Sequence, residues 1–270
     1  MYQARHGLSE VNYQAAFDNQ HYRGYQLEYV DGYLVGSKIQ FAAIWNSQSI
    51  WKESDLQNID NKVNSFLATN NIPGASLAIT RYGKLMFAQG YGKADSESNH
   101  DASPRNLWRI ASISKPVTAV AIMKLVELGD LSLNDKVFGP GSILGDNSAY
   151  SGASSRERMI TVNHLLMHLA GSKQWNNEGN DGSSDPMFIL KDLSQQNLIK
   201  EILNTREPSA VPGTDFSYSN FGYCILGRVI EKVTGVSYSA WVNQNVLAPM
   251  GVHDMKIAGN TKQDRLVNEV

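Results

Sequence analysis

Residues 109–137 read RIASISKPVTAVAIMKLVELGDLSLNDKV. From Val117 to Leu128 only Thr118, Lys124 and Glu127 are not apolar. A helix that is apolar on nearly every side is expected at the centre of a protein, and Gly129 is placed to end it. Ser112 and Lys115 stand three apart at its start. On a helix that spacing puts two side chains on one face, with Cβ atoms about 5–6 Å apart. A serine hydroxyl is a weak nucleophile and needs a base beside it. An amine serves as that base near neutral pH only where burial disfavours its ammonium form, and full burial can move a lysine by up to about 3–5 units. The positive end of the helix and its free N–H groups favour a developing oxyanion at Ser112. The pattern alone is common: Ser49-Ile50-Trp51-Lys52 satisfies it too, and an ordinary helix-cap serine is the structural alternative for Ser112.

Downstream, residues 212–235 read PGTDFSYSNFGYCILGRVIEKVTG. Pro212-Gly213 marks a turn, and the apolar residues after Asn220 open a helix. Tyr218 and Asn220, two apart at this loop-to-helix junction, can face one cleft. The phenol could relay a proton, and the amide could bridge an amine and a substrate carbonyl. The alternative is a helix cap by Ser219 or Asn220 beside a core tyrosine.

Upstream, residues 54–70 have Leu56, Ile59, Val63, Phe66 and Leu67 on one helical face, and Ile72-Pro73-Gly74 stops that helix. ASLAIT and KLMFAQGYG form a predicted hairpin around Arg81-Tyr82-Gly83. Further helices are expected at 161–168, 195–205, 219–234 and 237–247, with a loop-rich stretch at 130–160. Residues 1–46 differ in character. Ser9 is a predicted cap for a short helix carrying Tyr13, Ala16 and Phe17. Two strands follow, the second at 38–45, with Asp31-Gly32 as the turn signal between them. One helix and a hairpin in about 40 residues is small for independent stability and suggests one unit of a repeat array. Strands, then many helices, predict an α+β fold, an antiparallel sheet covered by a helical layer.

Four segments together resemble the serine β-lactamase, penicillin-binding and esterase superfamily, most of all its class C branch and its D-aminopeptidase and esterase relatives. They are the stretch at 109–137, ITVNHLLMHLAGS at 160–172, the stretch at 212–235, and VLAPMGVHDMKI at 246–257. Residue by residue, the resemblance implies that Ser112 is the acylated nucleophile and that Lys115 takes or shuttles its proton. It implies that Tyr218 is the second member of the base pair, that Asn220 positions substrate, and that the Ser112 N–H forms half of an oxyanion hole. Either Lys115 or Tyr218 can be the base, and the two would titrate together. The resemblance implies a β-lactamase/transpeptidase-like fold over residues 54–270, an antiparallel sheet flanked by helices plus a helical subdomain. It implies no cofactor. The family's third motif, [HK]-x-G on a late strand, is absent after Asn220, and Lys256-Ile257-Ala258-Gly259 has the wrong spacing. From that departure the domain is expected to be C-terminally incomplete, a fragment lacking its last strands.

Residues 6–45 resemble a second element, the tandem repeat that precedes the β-lactamase-like domain of polyglycine hydrolases and bacterial relatives. The residues that carry the likeness are Tyr13, Phe17, Asp18, Gly24, Tyr25, Gly32, Tyr33 and Ala43-Ile44-Trp45. This implies one repeat unit at 1–46, secretion, and a peptidase of polyglycine-hydrolase type. The other expectations are a promiscuous esterase or β-lactamase-like amidase and, from another class, a catalytically silent binding module. The expected partner is a peptide or a small ester or amide. The resemblance does not set the oligomeric state.

Composition agrees. The 270 residues are 42% hydrophobic and 19% charged, which excludes a disordered or collagen-like chain. A net charge of −2 gives no field for nucleic acid or an anionic membrane. No run approaches the roughly 18 apolar residues of a membrane span, and MYQARHGLSEVNYQ shows no continuous apolar stretch. The single cysteine, Cys224, excludes an internal disulfide and is expected to be buried and inert. His164 and His168 are four apart, but no acidic residue follows His164 as in HExxH; a structural role is expected and no metal site. Trp175 and the loop NNEGNDGSSD at 176–185 are candidates for the cleft mouth, with a plain solvated loop as the alternative.

Overall fold

The computed structural model describes residues 2–23, 25–47, 51–95, 99–147, 149–171, 175, 185–259 and 262–270. The chain forms two compact units, Met1–Arg109 with Gly259–Val270, and Ile110–Ala258.

The first unit opens with strand β1 (Tyr2–Leu8), helix α1 (Glu10–Tyr22), strand β2 (Tyr25–Val35) and strand β3 (Lys38–Ser47). The three strands form an antiparallel sheet in the order β1-β3-β2. Ser9 caps α1 as expected, its hydroxyl accepting from the Asn12 N–H at 3.3 Å. The hairpin turn is not at Asp31-Gly32. Those residues pair with Ala42 and Phe41 inside the strand, and the chain reverses at Gly36, at φ +64° between the paired Val35 and Lys38. Asp-Gly and Gly-Ser are both good turn dipeptides, and the apolar run Tyr33-Leu34-Val35 carries the strand past the first of them. Strand β1 is polar and weakly alternating, so its sequence gave no strand signal. Gly24 lies outside the described residues.

Helix α2 (Glu53–Asn70) ends at Asn71 in the left-handed region, and strands β4 (Gly74–Arg81), β5 (Lys84–Asp95) and β6 (His100–Asp101) follow. The β4–β5 hairpin turns through Tyr82 and Gly83, at φ +51° and +72°, the two positive φ values of a tight primed turn. The second sheet runs β4-β5-β6. Leu56 and Leu67 of α2 are buried and Ile59 and Val63 are partly so, but Phe66, expected on the same face, is 58% exposed. Tyr25 and Trp45 of the first sheet share one apolar cluster with Leu56, Leu67, Phe87 and Tyr91. The small N-terminal element therefore buries its apolar face on α2 and β5. A polar seam runs alongside: Tyr91 donates to Asp60 at 2.7 Å, and Arg23 lies 3.6 Å from the same carboxylate.

The second unit is helical. It comprises α3 (Ser114–Leu128), α4 (Val162–Leu166), α5 (Pro186–Ile189), α6 (Gln195–Thr205), α7 (Asn220–Thr234) and α8 (Tyr238–Val242). The helix expected at 237–247 continues past α8 as one wide turn over Asn243–Leu247. The core gathers Ile122 and Leu125 of α3, Leu165 of α4, Ile199 and Ile202 of α6, and Phe221 and Ile225 of α7. Two expectations about α3 need correction. It begins at Ser114, so Ser112 stands in a preceding 3₁₀ turn, Ala111–Ile113. It is also buried on one face only, through Thr118, Ala121, Ile122 and Leu125, while Val120 and Met123 are 52% and 46% exposed. Apolar composition sets what a helix is able to bury, and α3 packs against α7, α8 and the wide turn over Asn243–Leu247. Among the described residues no helix is long and apolar enough to cross a membrane.

Candidate active site

The site is built at two chain junctions of the helical unit. The first is the turn before α3. Ala111 has φ +43°, a conformation that costs a residue with a Cβ about 1 kcal/mol or more. Directly after it, Ser112 occupies the turn that leads into the helix, where N–H groups lack intrahelical partners. Lys115 is on the first turn of α3, and its Nζ donates to Ser112 Oγ at 3.1 Å.

The second junction is the entry to α7. A backbone ladder joins it to the segment after α4. Ala210 N–H donates to Gly171 C=O, Gly213 N–H to Leu169 C=O, and Ser217 N–H to His168 C=O, each at 2.8 Å. Gly171 is required here. Its φ is +77°, and a Cβ on it would meet the Ala210 carbonyl oxygen at 2.4 Å. The ladder delivers Tyr218 to the site, with its hydroxyl donating to Ser112 Oγ at 2.7 Å across 106 residues of sequence. Ser219 is a helix cap, accepting from Gly222 N–H at 2.9 Å. Asn220 begins the helix, and its Oδ1 accepts from Lys115 Nζ at 2.5 Å. Lys115 and Tyr218 thus meet at Ser112 Oγ, and Asn220 joins them through the lysine. Capping and site placement coexist: Ser219 ties down the helix end while Tyr218 on one side reaches Ser112 and Asn220 on the other reaches Lys115.

The surroundings set the electrostatics. Lys115 Nζ lies 4.6 Å from the centre of the Tyr218 ring and 5.8 Å from that of Tyr223. Partial burial pushes the Tyr218 phenol up, but the hydrogen bonds with Lys115 and Ser112 and the lysine's charge outweigh it. The net position is below the ordinary phenol range, which makes the phenolate more accessible. His168, another non-glycine residue in the left-handed region at φ +59°, packs its ring 4.5 Å from that of Tyr218. Its Nδ1 accepts from the Ser219 N–H at 3.0 Å. Burial first, and the Lys115 charge second, hold it below the usual histidine range, so it braces the site as a neutral ring. His164 accepts from Thr161 N–H at 3.3 Å in a capping box. Among the described residues no group of three or more His, Cys, Asp or Glu is gathered for a metal ion.

Other expectations fall differently. Trp175 is fully buried, its indole N–H donating to the Arg206 carbonyl at 3.0 Å and its ring edge-on to Phe221. It is a core residue and does not line a cleft mouth. Of the loop 176–185 only Asp185 is among the described residues, and Ser49 and Ile50 of the second SxxK pattern lie outside them. Burial pushes the Cys224 thiol up to about 11. Lys256–Ala258 forms no strand. Sequence reasoning treated Asp185 only as part of that loop. It is 1% exposed and accepts from Asn220 Nδ2 at 2.7 Å and from Met187 N–H at 2.9 Å. The pattern Asp185-Pro186, an N-cap followed by a first-turn proline, was a legible signal for a helix start.

Comparison with known proteins bears on the family and the fold. A family model described as Beta-lactamase matches residues 59–267. The chain belongs to the beta-lactamase family. A second model, a polyglycine hydrolase-like structural repeat, matches residues 2–48. Protein flp of Staphylococcus aureus strain COL is 32% identical over 194 residues, 72% of this chain and 36% of the relative. Esterase EstB of Burkholderia gladioli is 30% identical over 199 residues, 70% of this chain and 48% of the relative. The octameric penicillin-binding protein homologue from Pyrococcus abyssi superposes with a TM-score of 0.55 at 29% identity, covering 77% of this chain and 45% of that one. The chain therefore spans less than half the length of these relatives. The α+β, β-lactamase/transpeptidase-like fold class stands.

Proposed function

We propose that this protein is a serine hydrolase that cleaves amide or ester bonds through an acyl-enzyme on Ser112. The observation that carries the reading is Ser112 Oγ at 2.7 Å from Tyr218 and 3.1 Å from Lys115. These are hydrogen-bond distances at which a base takes a proton from a nucleophile. Tyr218, whose phenol is held low, takes the Ser112 proton as Oγ attacks the carbonyl carbon. Lys115 stabilises the phenolate and, with Asn220, fixes its position. The proton then passes to the leaving amine or alcohol. Water attacks the acyl-enzyme by the reverse path, returning the proton to Ser112. The Ser112 N–H is one donor to the oxyanion.

Residues 1–46 are read as a repeat unit and 54–270 as the hydrolase domain. The match to a polyglycine hydrolase-like repeat supports a peptidase acting on glycine-rich chains. The similarity to an esterase supports the second reading, an enzyme of broad ester and amide scope. Labelling with a fluorophosphonate, followed by peptide mapping, tests the chemistry. Modification is expected on Ser112 and nowhere in Ser112→Ala; labelling that persists in that variant rejects the assignment. Side-by-side turnover of oligoglycine, p-nitrophenyl esters and nitrocefin separates the two substrate readings.

A further inference from the structure

We propose that Asp185 is a positioning residue that holds the Asn220 amide with its oxygen toward Lys115; the inference rests on the serine-hydrolase reading of the site. A side-chain amide is nearly symmetric in shape but opposite in polarity at its two ends, so its orientation is set by its partners. An ionised carboxylate only accepts. Asp185 accepts from Asn220 Nδ2 at 2.7 Å and therefore fixes which end of the amide faces the lysine. Oδ1 is left to receive Lys115 Nζ at 2.5 Å. Turned over, Asn220 would present N–H donors to a three-donor ammonium and lose both bonds. Asp185 is itself anchored. It is 1% exposed, its second oxygen caps α5 through the Met187 N–H, and Pro186 fixes the backbone beside it. Three links, from Asp185 to Asn220 to Lys115 to Ser112, thus transmit the position of a buried carboxylate to the reacting oxygen. The charge of Asp185 also opposes the lowering of the Tyr218 phenol, so the same residue limits how acidic that group becomes.

The test uses the 270-residue chain and the rate of fluorophosphonate labelling, read by intact mass. Asp185→Asn keeps shape and one oxygen. That oxygen caps Met187, and the new amino group faces the Asn220 amino group, donor to donor. Asn220 must turn over, and labelling is expected to slow by about 10–100-fold, the scale of losses from misplaced groups. Adding Asn220→Asp to Asp185→Asn restores a donor–acceptor match at both ends, and the rate is expected to return to within about tenfold of wild type. A merely structural carboxylate gives no such rescue. Wild-type labelling by Asp185→Asn, or a double variant no faster than the single, overturns the proposal. Loss of a cooperative thermal melt in Asp185→Asn overturns it in favour of a cap that only holds α5. Failure of the wild-type chain to label strikes instead at the hydrolase reading on which the proposal stands.

Discussion

Glu157 is the sharpest physical test of the helical unit. Its side chain is fully buried. One carboxylate oxygen accepts from the Ser154 N–H at 2.7 Å, and the other has no hydrogen-bond partner among the described residues. Burial drives its pKa up to about 7 from 4.5, with Ser154 opposing and the charge of Glu207 assisting. In the folded protein it holds its proton to near neutrality, while in the unfolded chain it releases it near pH 4.5. Below pH 4.5 both states are protonated and the group is neutral to stability. From pH 4.5 to about 7 the unfolded state binds fewer protons, so stability falls as pH rises. A difference of about 2.5 units at about 1.36 kcal/mol each gives roughly 3 kcal/mol lost above pH 7. Glu157→Gln mimics the protonated acid at every pH. Urea unfolding of both proteins, followed by tryptophan fluorescence, checks this. The variant is expected to match wild type near pH 4.5 and to exceed it by roughly 3 kcal/mol at pH 8. Parallel stability curves for the two proteins across that range would refute the reasoning.

Other outcomes follow from single contacts. Tyr218→Phe removes the 2.7 Å partner of Ser112 and is expected to slow fluorophosphonate labelling about 10²–10⁴-fold, the usual range for a lost general base. It also abolishes the rise of that rate with pH, whose midpoint in wild type falls below the ordinary phenol value near 10. Gly171→Ala forces a Cβ against the Ala210 carbonyl at positive φ. It should cost about 1–3 kcal/mol in urea unfolding and slow labelling with it, because the same ladder delivers Tyr218. Trp45→Ala empties a fully buried site beside Leu56 and Phe87 and should destabilise the first unit by about 3–5 kcal/mol. Hydrogen exchange should show the loss in β5 as well as β3; protection unchanged in β5 would mean the two sheets do not share a core.

The candidate site residues were legible because the proposed chemistry needs particular groups at fixed local spacing. Ser112 and Lys115 are one turn apart, Tyr218 and Asn220 flank a cap, and each pair sits at the start of an apolar run. What escaped was set by tertiary contact. The turn between β2 and β3 had two adequate signals, and pairing with Phe41 and Ala42 decided between them. Trp175 is polar enough at one edge to suit a cleft, and only the Arg206 carbonyl and the Phe221 ring reveal it as core. Phe66 obeys the helical period of α2 yet faces solvent, since period tells which residues share a face and not how far a neighbour extends over it.

Asp185 shows the same limit in the site itself. A carboxylate at the end of a glycine-rich acidic stretch reads as solvated, because most such residues are. Its role depends on an amide 35 residues away, and local sequence carries no trace of that pairing. Asn220 alone can be placed by motif, but a motif specifies the side chain and not which of its two ends meets the lysine. That choice needs an acceptor held rigidly on the far side, and a buried helix cap locked by a following proline supplies one. The proposed nucleophile and base are thus encoded in short patterns, while the polarity of the network that orients them is encoded only in the fold.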